Sequence, residues 1–456
     1  MSFVDELAAA LPDGAVVTDP DILETYRYDR TDWLTPGQPA VAAFPRTTAE
    51  VAAAVKVAAA HRVPIVPRGA GSSLAGGSQA IDGCLILCVE RMERILDVDE
   101  VDQTVTVEPG VLNADISTAT APYGLWYPPD PASKAFCSIG GNIATNAGGL
   151  CCVKYGVTRD YVLGLEVVLA DGTVIETGRR TIKGVAGLDL TGLMVGSEGT
   201  LGIVTRARLR LRPTPDGAAT LVAFFPTLTS AGDAIAAITR AGLVLSLMEI
   251  MDRTTVSAVD DAYRMGLDRD AAALVLLQSD SPVPVRGAEV ARAAELCEAA
   301  GASYTATTED AEEADALLQA RRLAIPALEA QGTMLLDDVA VPRSRVPELL
   351  ARAEDIAAQH EVTIGTFGHA GDGNLHPSLV VPREDDGTVL QRAMTAFDDL
   401  VLAALDLGGT ITGEHGVGRV KAPFLEREIG ADNLAVQRRI KRELDPLGLL
   451  NPGRWL

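Results

Sequence analysis

Pro67-Arg68-Gly69-Ala70-Gly71-Ser72-Ser73-Leu74-Ala75-Gly76-Gly77 decides how the first half of this chain is read. It overlaps Pro64-Ile65-Val66-Pro67, whose composition is that of a strand, so an apolar strand feeds straight into a glycine loop. Backbone this rich in glycine lets successive amides approach and cradle an anion. No Gly-Lys-Ser/Thr follows, so the loop is not a Walker A motif, nor does it match the GxGxxG dinucleotide pattern. Taken alone it fits a structural turn about as well as a binding loop.

Two more glycine segments change that balance. One runs from Pro128-Pro129-Asp130-Pro131 to Ser138-Ile139-Gly140-Gly141-Asn142-Ile143-Ala144-Thr145-Asn146-Ala147-Gly148-Gly149. The other is Gly196-Ser197-Glu198-Gly199-Thr200-Leu201-Gly202-Ile203-Val204-Thr205. Between and around them, residues 41–44, 85–89, 105–108 and 165–169 read as strands, and 47–59 as an Ala-rich helix capped by Thr47 or Thr48 with Glu50 nearby. Asp171-Gly172 is a hairpin signal. Up to Arg212 the chain is a strand-rich α+β region.

Pro213-Thr214-Pro215-Asp216-Gly217 reads as a linker. Beyond it, predicted strands at 221–225, 247–251 and 274–278 alternate with helices at 230–241 and 287–300, which suits an antiparallel sheet with helices on one face. The last hundred residues carry Gly368-His369-Ala370-Gly371-Asp372-Gly373-Asn374-Leu375-His376 and Gly413-Glu414-His415-Gly416-Val417-Gly418. Imidazole and carboxylate are the ligands a borderline divalent ion takes, and a catalytic ion keeps a position open to polarise a substrate oxygen. Two histidines and Glu414 on glycine-rich backbone point to a metal site. His61 and His360 lie near helix ends in polar surroundings and read as surface residues.

Composition bounds the rest. At 456 residues two or three domains are expected, and 47% hydrophobic content is ample for their cores. A net charge of -23 argues against nucleic acid and anionic membrane surfaces as direct partners. An anionic substrate would therefore need local arginine, lysine or metal. The N-terminus lacks signal- and transit-peptide patterns, and no apolar run approaches the ~20 residues that span a bilayer. The six cysteines show no CxxC pairing, which disfavours an iron–sulfur cluster or zinc ribbon within the chain and suits reduced cytoplasmic thiols.

With these motifs in this order, nearly the whole chain resembles the FAD-linked 2-hydroxy acid dehydrogenases. This is the branch of vanillyl-alcohol-oxidase/PCMH-type flavoproteins that includes D-lactate dehydrogenase, the large glycolate oxidase subunit and D-2-hydroxyglutarate dehydrogenase. The resemblance implies an α+β fold. A PCMH-type FAD-binding domain would span 1–213, and a ferredoxin-like antiparallel-sheet substrate (cap) domain 214–419. A C-terminal segment, 420–456, would return to the flavin.

It also implies roles. Pro67, Arg68, Gly69, Ala70, Gly71, Ser72, Ser73 and Gly76 would wrap the FAD pyrophosphate. Pro131, Gly140, Gly141, Asn142, Thr145, Asn146, Gly148 and Gly149, with Glu198, Gly199, Gly202, Ile203 and Val204, would line the adenosine and isoalloxazine, and Asn451 would close over the flavin. The first loop holds serines where some relatives carry a flavin-linking histidine, so FAD is expected to be non-covalent; Cys137, Cys151 and Cys152 read as small fillers.

His369, His376 and Glu414 would hold the ion, with zinc first and manganese or iron also suitable. His415 would be the general base, and Asn374 would hydrogen-bond the substrate oxygen. Arg321 would clamp the carboxylate, while Arg322 reads as a solvated helix charge. Counting without gaps from Arg321 to Pro342 places Leu336 where hydroxyglutarate-type members have lysine. This favours a small monocarboxylate such as D-lactate or glycolate, with D-2-hydroxyglutarate as the rival. A flavin-poor complex subunit is disfavoured by the intact metal and base motifs. A flavin transferase of the ether-lipid type is disfavoured by the motif layout and the missing peroxisomal ending. The expected setting is cytoplasmic, or peripheral at the inner membrane through a partner. The electron acceptor is open among quinone, cytochrome, electron-transfer flavoprotein, iron–sulfur partner and oxygen, and a homodimer is compatible.

Overall fold

The computed structural model describes residues 1–385 and 387–456, which divide into two compact units. The first comprises 1–148, 157–214 and 414–456, the second 149–156 and 215–413.

In the first unit, β1 (Val16–Val17), β2 (Val41–Ala43), β3 (Ile65–Arg68) and β4 (Leu85–Cys88) form a sheet in the order β1-β2-β4-β3. The β2–β4 and β3–β4 pairs are parallel, and β4 is buried at every position, as its uninterrupted apolar run requires. The helix Thr48–His61 covers this sheet. Thr47 Oγ1 accepts the Glu50 amide at 3.3 Å, Glu50 accepts the Arg46 amide at 2.7 Å, and Arg62 ends the helix in the left-handed region. Val51, Ala54, Val55 and Ala58 face Val41, Ile65, Leu85 and Leu87 in one core; each buried valine contributes roughly 1.5–3 kcal/mol.

A second sheet follows. β5 (Ile95–Asp99), β6 (Thr104–Val107), β8 (Val162–Val168), β9 (Val174–Glu176) and β10 (Ile203–Arg210) run β5-β6-β10-β8-β9, all antiparallel; β7 (Leu125–Trp126) pairs apart from it with β11 (Arg212–Pro213). The β8–β9 turn is the expected hairpin at Asp171-Gly172, with Asp171 accepting the Thr173 amide at 2.8 Å.

The second unit is built on one antiparallel sheet. Its strands are β12 (Ala219–Phe225), β13 (Leu247–Asp252), β14 (Ala273–Ser279), β15 (Tyr304–Thr308), β16 (Thr333–Leu336), β17 (Val339–Ala340), β18 (Thr363–His369) and β19 (Asn374–Val381). Their order is β15-β12-β14-β13-β18-β19-β16, with β17 also pairing β19. Each strand expected beyond the linker is present. The sheet is covered more fully than a single helical layer would imply. All 8 residues of β19 are buried, and Gly365 of β18 faces Leu328 and Thr255 of the helices Ala324–Gln331 and Arg253–Tyr263.

The change of unit at 214/215 lies one residue from the division expected after 213, and two other stretches are placed differently from the expected division. The chain rejoins the first unit at Glu414, because the Val417 and Gly418 amides bind the Glu198 carboxylate and the Arg419 amide binds Ala75 O at 2.8 Å. Residues 149–156 belong to the second unit, where Lys154 and Tyr155 both engage Asp280.

Candidate active site

The fold of the first unit gathers the three glycine loops. The Ala70 amide donates to Ser138 Oγ at 3.2 Å, and a side chain at Gly69 would collide with that hydroxyl, which joins the first loop to the second. Gly199 packs on Pro67, joining first to third, and the Gly196 and Glu198 amides donate to Ile143 O and Ala144 O, joining third to second. Asn451 completes the closure. Its Nδ2 donates to Gly77 O at 3.0 Å and Glu198 O at 2.7 Å, while its own amide donates to Ile65 O.

Whether such a loop suits a pyrophosphate depends on its amides. Those of Gly71, Ser72, Ser73 and Leu74 make no hydrogen bond among the described residues, and Gly71 adopts φ +70, which turns the backbone as an anion nest requires. These residues fit the group. Other side chains of the set serve the scaffold. Arg68 donates to Tyr28 O at 2.6 Å and lies over the Tyr26 ring, and Gly76 donates to Thr31. Asn142 bridges Asn113 and Cys137, while Asn146 accepts the Arg159 amide. Gly140, Gly141 and Thr145 lie in the short helix Ile139–Thr145, Pro131 is buried just ahead of the turn 132–136, and Gly202 leads into Ile203 and Val204 of β10. Gly148 and Gly149 stand where the chain passes between units.

Glu198 does more than line a loop. It is 7% exposed, and its carboxylate accepts the Val417 amide at 2.7 Å and the Gly418 amide at 2.8 Å. Burial pushes its pKa up to about 7, and those amides partly offset the rise. It thereby anchors the segment that carries Glu414 and His415, whose side chains approach at 3.8 Å (Oε1 to Nε2).

In the second unit, β18 and β19 form a hairpin in which His369 opposes Asn374 and Phe367 opposes His376. Side chains alternate along a strand, so both histidines share one face of the sheet. Their rings meet edge-to-face at 5.2 Å, and Gly373, at φ +91, supplies the turn between them. His369 Nδ1 is 2.7 Å from Glu249 Oε1, and His376 Nδ1 is 3.6 Å from Asp338 Oδ1. His369 thus has a carboxylate hydrogen-bonded at Nδ1, which leaves its Nε2 for a ligand, while Asp338 lies beyond hydrogen-bond distance of His376 Nδ1. The pair fits two positions of a divalent site.

Arg321 is 3% exposed and donates from Nε to Glu249 Oε2 at 2.6 Å, with its guanidinium 4.7 Å from the Phe367 ring centroid. Its Nη groups make no hydrogen bond among the described residues. Arg322 pairs with Asp315 at the exposed surface. Asn374 directs Nδ2 to Asp338 Oδ1 and Val339 O, so its donors are engaged by the segment that pairs with β19 and not left for a substrate oxygen. Asp338 also accepts from Thr412 Oγ1 at 2.6 Å and the Gly413 amide at 3.0 Å, fixing the backbone one residue before Glu414. Leu336 opposes Ser378 and so shares the face of His376. His61 pairs with Glu6 and His360 with Asp399, each in the last turn of a helix. Cys84, Cys88, Cys137 and Cys297 are buried, and Cys151 and Cys152 are half-buried.

Sequence reading missed Glu249 altogether and passed over the role of Asp338. The signal for Glu249 was a lone acid within the apolar strand Leu247-Met248-Glu249-Ile250-Met251.

The fold is of the PCMH type. The p-cresol methylhydroxylase structure with substrate bound superposes at TM-score 0.83 and 18% identity, covering 99% of this chain and 96% of that one. Residues 39–178 match the family model described as FAD binding domain, and 214–455 that of FAD linked oxidases, C-terminal domain. The chain is 43% identical over 432 residues to glycolate oxidase subunit GlcD of Bacillus subtilis, covering 94% of this chain and 91% of that protein. It is 37% identical over 424 residues to the probable mitochondrial D-lactate dehydrogenase of Danio rerio, covering 92% and 84%. This chain belongs to the FAD-linked oxidase family and is an FAD-linked oxidoreductase. Among the described residues, no helix is long and apolar enough to cross a membrane.

Proposed function

We propose that the protein oxidises a D-2-hydroxy acid, with D-lactate or glycolate as the size class, to the 2-oxo acid in an FAD- and divalent-metal-dependent reaction. The observation that carries this reading is the shared face of Arg321, His369 and His376, which sets an anion-binding fork beside two imidazoles. The names of the relatives, glycolate oxidase subunit and D-lactate dehydrogenase, agree with it.

His369, His376 and Glu414 would hold the ion, and the three glycine loops with Asn451 would hold FAD non-covalently. When bound, FAD accepts the two electrons lost from C2, and the ion acidifies the substrate hydroxyl. Arg321 would present its two Nη groups to the carboxylate as a bidentate fork, fixing which face of C2 is offered. His415 would receive the hydroxyl proton, a task suited to an imidazole. Asn374 would hold Asp338, and through it the Gly413 backbone.

Leu336 supports the monocarboxylate. It is 8% exposed on the face of His376, and a second carboxylate there would be desolvated without a cation. The comparison that tests this is kcat/KM for D-lactate and glycolate against D-2-hydroxyglutarate. A preference for the dicarboxylate would overturn the reading. The subunit designation of the Bacillus relative favours one extension, in which electrons leave through a separate protein chain.

A further inference from the structure

We infer that Glu249 is the positioning residue shared by the substrate and metal half-sites, holding the Arg321 fork and the His369 tautomer with one carboxylate. The inference rests on the reading above and deepens it. Glu249 is 1% exposed in the middle of β13, flanked by Met248 and Ile250. A carboxylate buried in a central strand is costly unless both oxygens are matched. Here they are: Oε2 accepts Arg321 Nε–H at 2.6 Å and Oε1 faces His369 Nδ1 at 2.7 Å.

Each contact selects a state of its partner. Because Nε is the atom engaged, the guanidinium is gripped by its inner edge and its Nη1/Nη2 edge is left for a carboxylate; Phe367 beneath the plane fixes its tilt. Because an acceptor oxygen faces Nδ1, the imidazole carries its proton on Nδ1 and its lone pair on Nε2, the form that binds a divalent ion. A buried ion pair serving stability alone would need only Arg321. The second contact, to a residue 120 positions away on a neighbouring strand, couples the two half-sites.

Glu249→Gln keeps the shape but offers one acceptor and one donor. Turned one way, its amide N–H faces Arg321 Nε–H. Turned the other, it meets His369 Nδ1 and drives the proton to Nε2, removing the ligand lone pair. On flavin-loaded enzyme, Zn2+ affinity measured by competition with a chromogenic chelator should fall roughly 10–100-fold in the variant. KM for D-lactate should rise by more than kcat falls once zinc is saturating. In wild type, long-range 1H–15N correlation on 15N-histidine protein should show His369 as the Nδ1–H tautomer; this readout stands even if the variant fails to fold. Wild-type zinc affinity and unchanged KM in Glu249→Gln would overturn the inference while leaving the metal assignment intact, as would an Nε2–H tautomer in wild type. Failure of wild type to bind zinc or manganese would overturn both.

Discussion

Replacing Glu198 by glutamine should flatten part of the pH dependence of stability. Burial raises the folded-state pKa of this carboxyl from an ordinary 4.5 to about 7, although the Val417 and Gly418 amides favour the ionised form. The folded chain therefore holds this proton more tightly than the unfolded chain. Between those two values it binds more protons than the unfolded state, so stability falls as pH rises through the interval. The penalty is absent below 4.5 and complete above about 7. At about 1.4 kcal/mol per pKa unit it amounts to roughly 3 kcal/mol. Glutamine has the shape of the neutral acid and cannot ionise. The glutamine NH2 faces one of the two amides and lowers the variant's stability by a constant amount, so the test is the slope: between pH 4.5 and 8 the variant should gain on wild type by about 3 kcal/mol. Urea unfolding followed by tryptophan fluorescence across that range measures the difference directly, and other titrating groups cancel in it. Parallel stability curves for the two proteins would refute the reasoning, because they would mean that the carboxyl does not change its proton affinity on folding.

Asn451→Ala removes two hydrogen bonds tying the C-terminal segment to the first and third loops; at about 1 kcal/mol each, FAD should bind at least tenfold more weakly by fluorescence titration. Undiminished affinity would mean that the tail does not order the cradle. Arg321→Ala should raise KM for hydroxy acids about a hundredfold, the equivalent of some 3 kcal/mol for a charge-assisted fork, with a smaller effect on kcat; unchanged kinetics would assign the carboxylate to another cation. His415→Ala should slow substrate-dependent flavin bleaching on the order of 10²–10⁴-fold while metal content stays constant, and near-normal bleaching would remove it as the base. Acid precipitation should release all the flavin into the supernatant, and a yellow pellet would contradict non-covalent binding.

What was legible in the sequence depended on distance along the chain. Loops after strands, the Thr47 cap and the Asp171-Gly172 turn are set by residues within a few positions of one another, and they stand within two or three residues of their expected places. The motif around His369 and His376 was visible for the same reason, since its histidines and glycines lie within nine consecutive residues, although its folding as a hairpin was not foreseen. Partnerships across strands were not. Nothing near Glu249 in the sequence announces Arg321 or His369; the β13–β18 pairing brings in His369, and the end of the helix Ala311–Arg322 brings in Arg321. The Lys154–Asp280 contact, which assigns residues 149–156 to the second unit, likewise joins residues more than a hundred positions apart. The return of the chain at Glu414 could not be placed either, because it depends on an acid at 198 meeting two amides at 417 and 418.

Anaerobic mixing of the FAD- and zinc-loaded protein with single hydroxy acids puts the central claim to the most direct trial. The account predicts that D-lactate or glycolate bleaches the visible flavin absorbance stoichiometrically and yields the 2-oxo acid, while L-lactate leaves the spectrum unchanged. A flavin that stays oxidised with every D-2-hydroxy acid offered, or that responds only to the L-enantiomer, would contradict it.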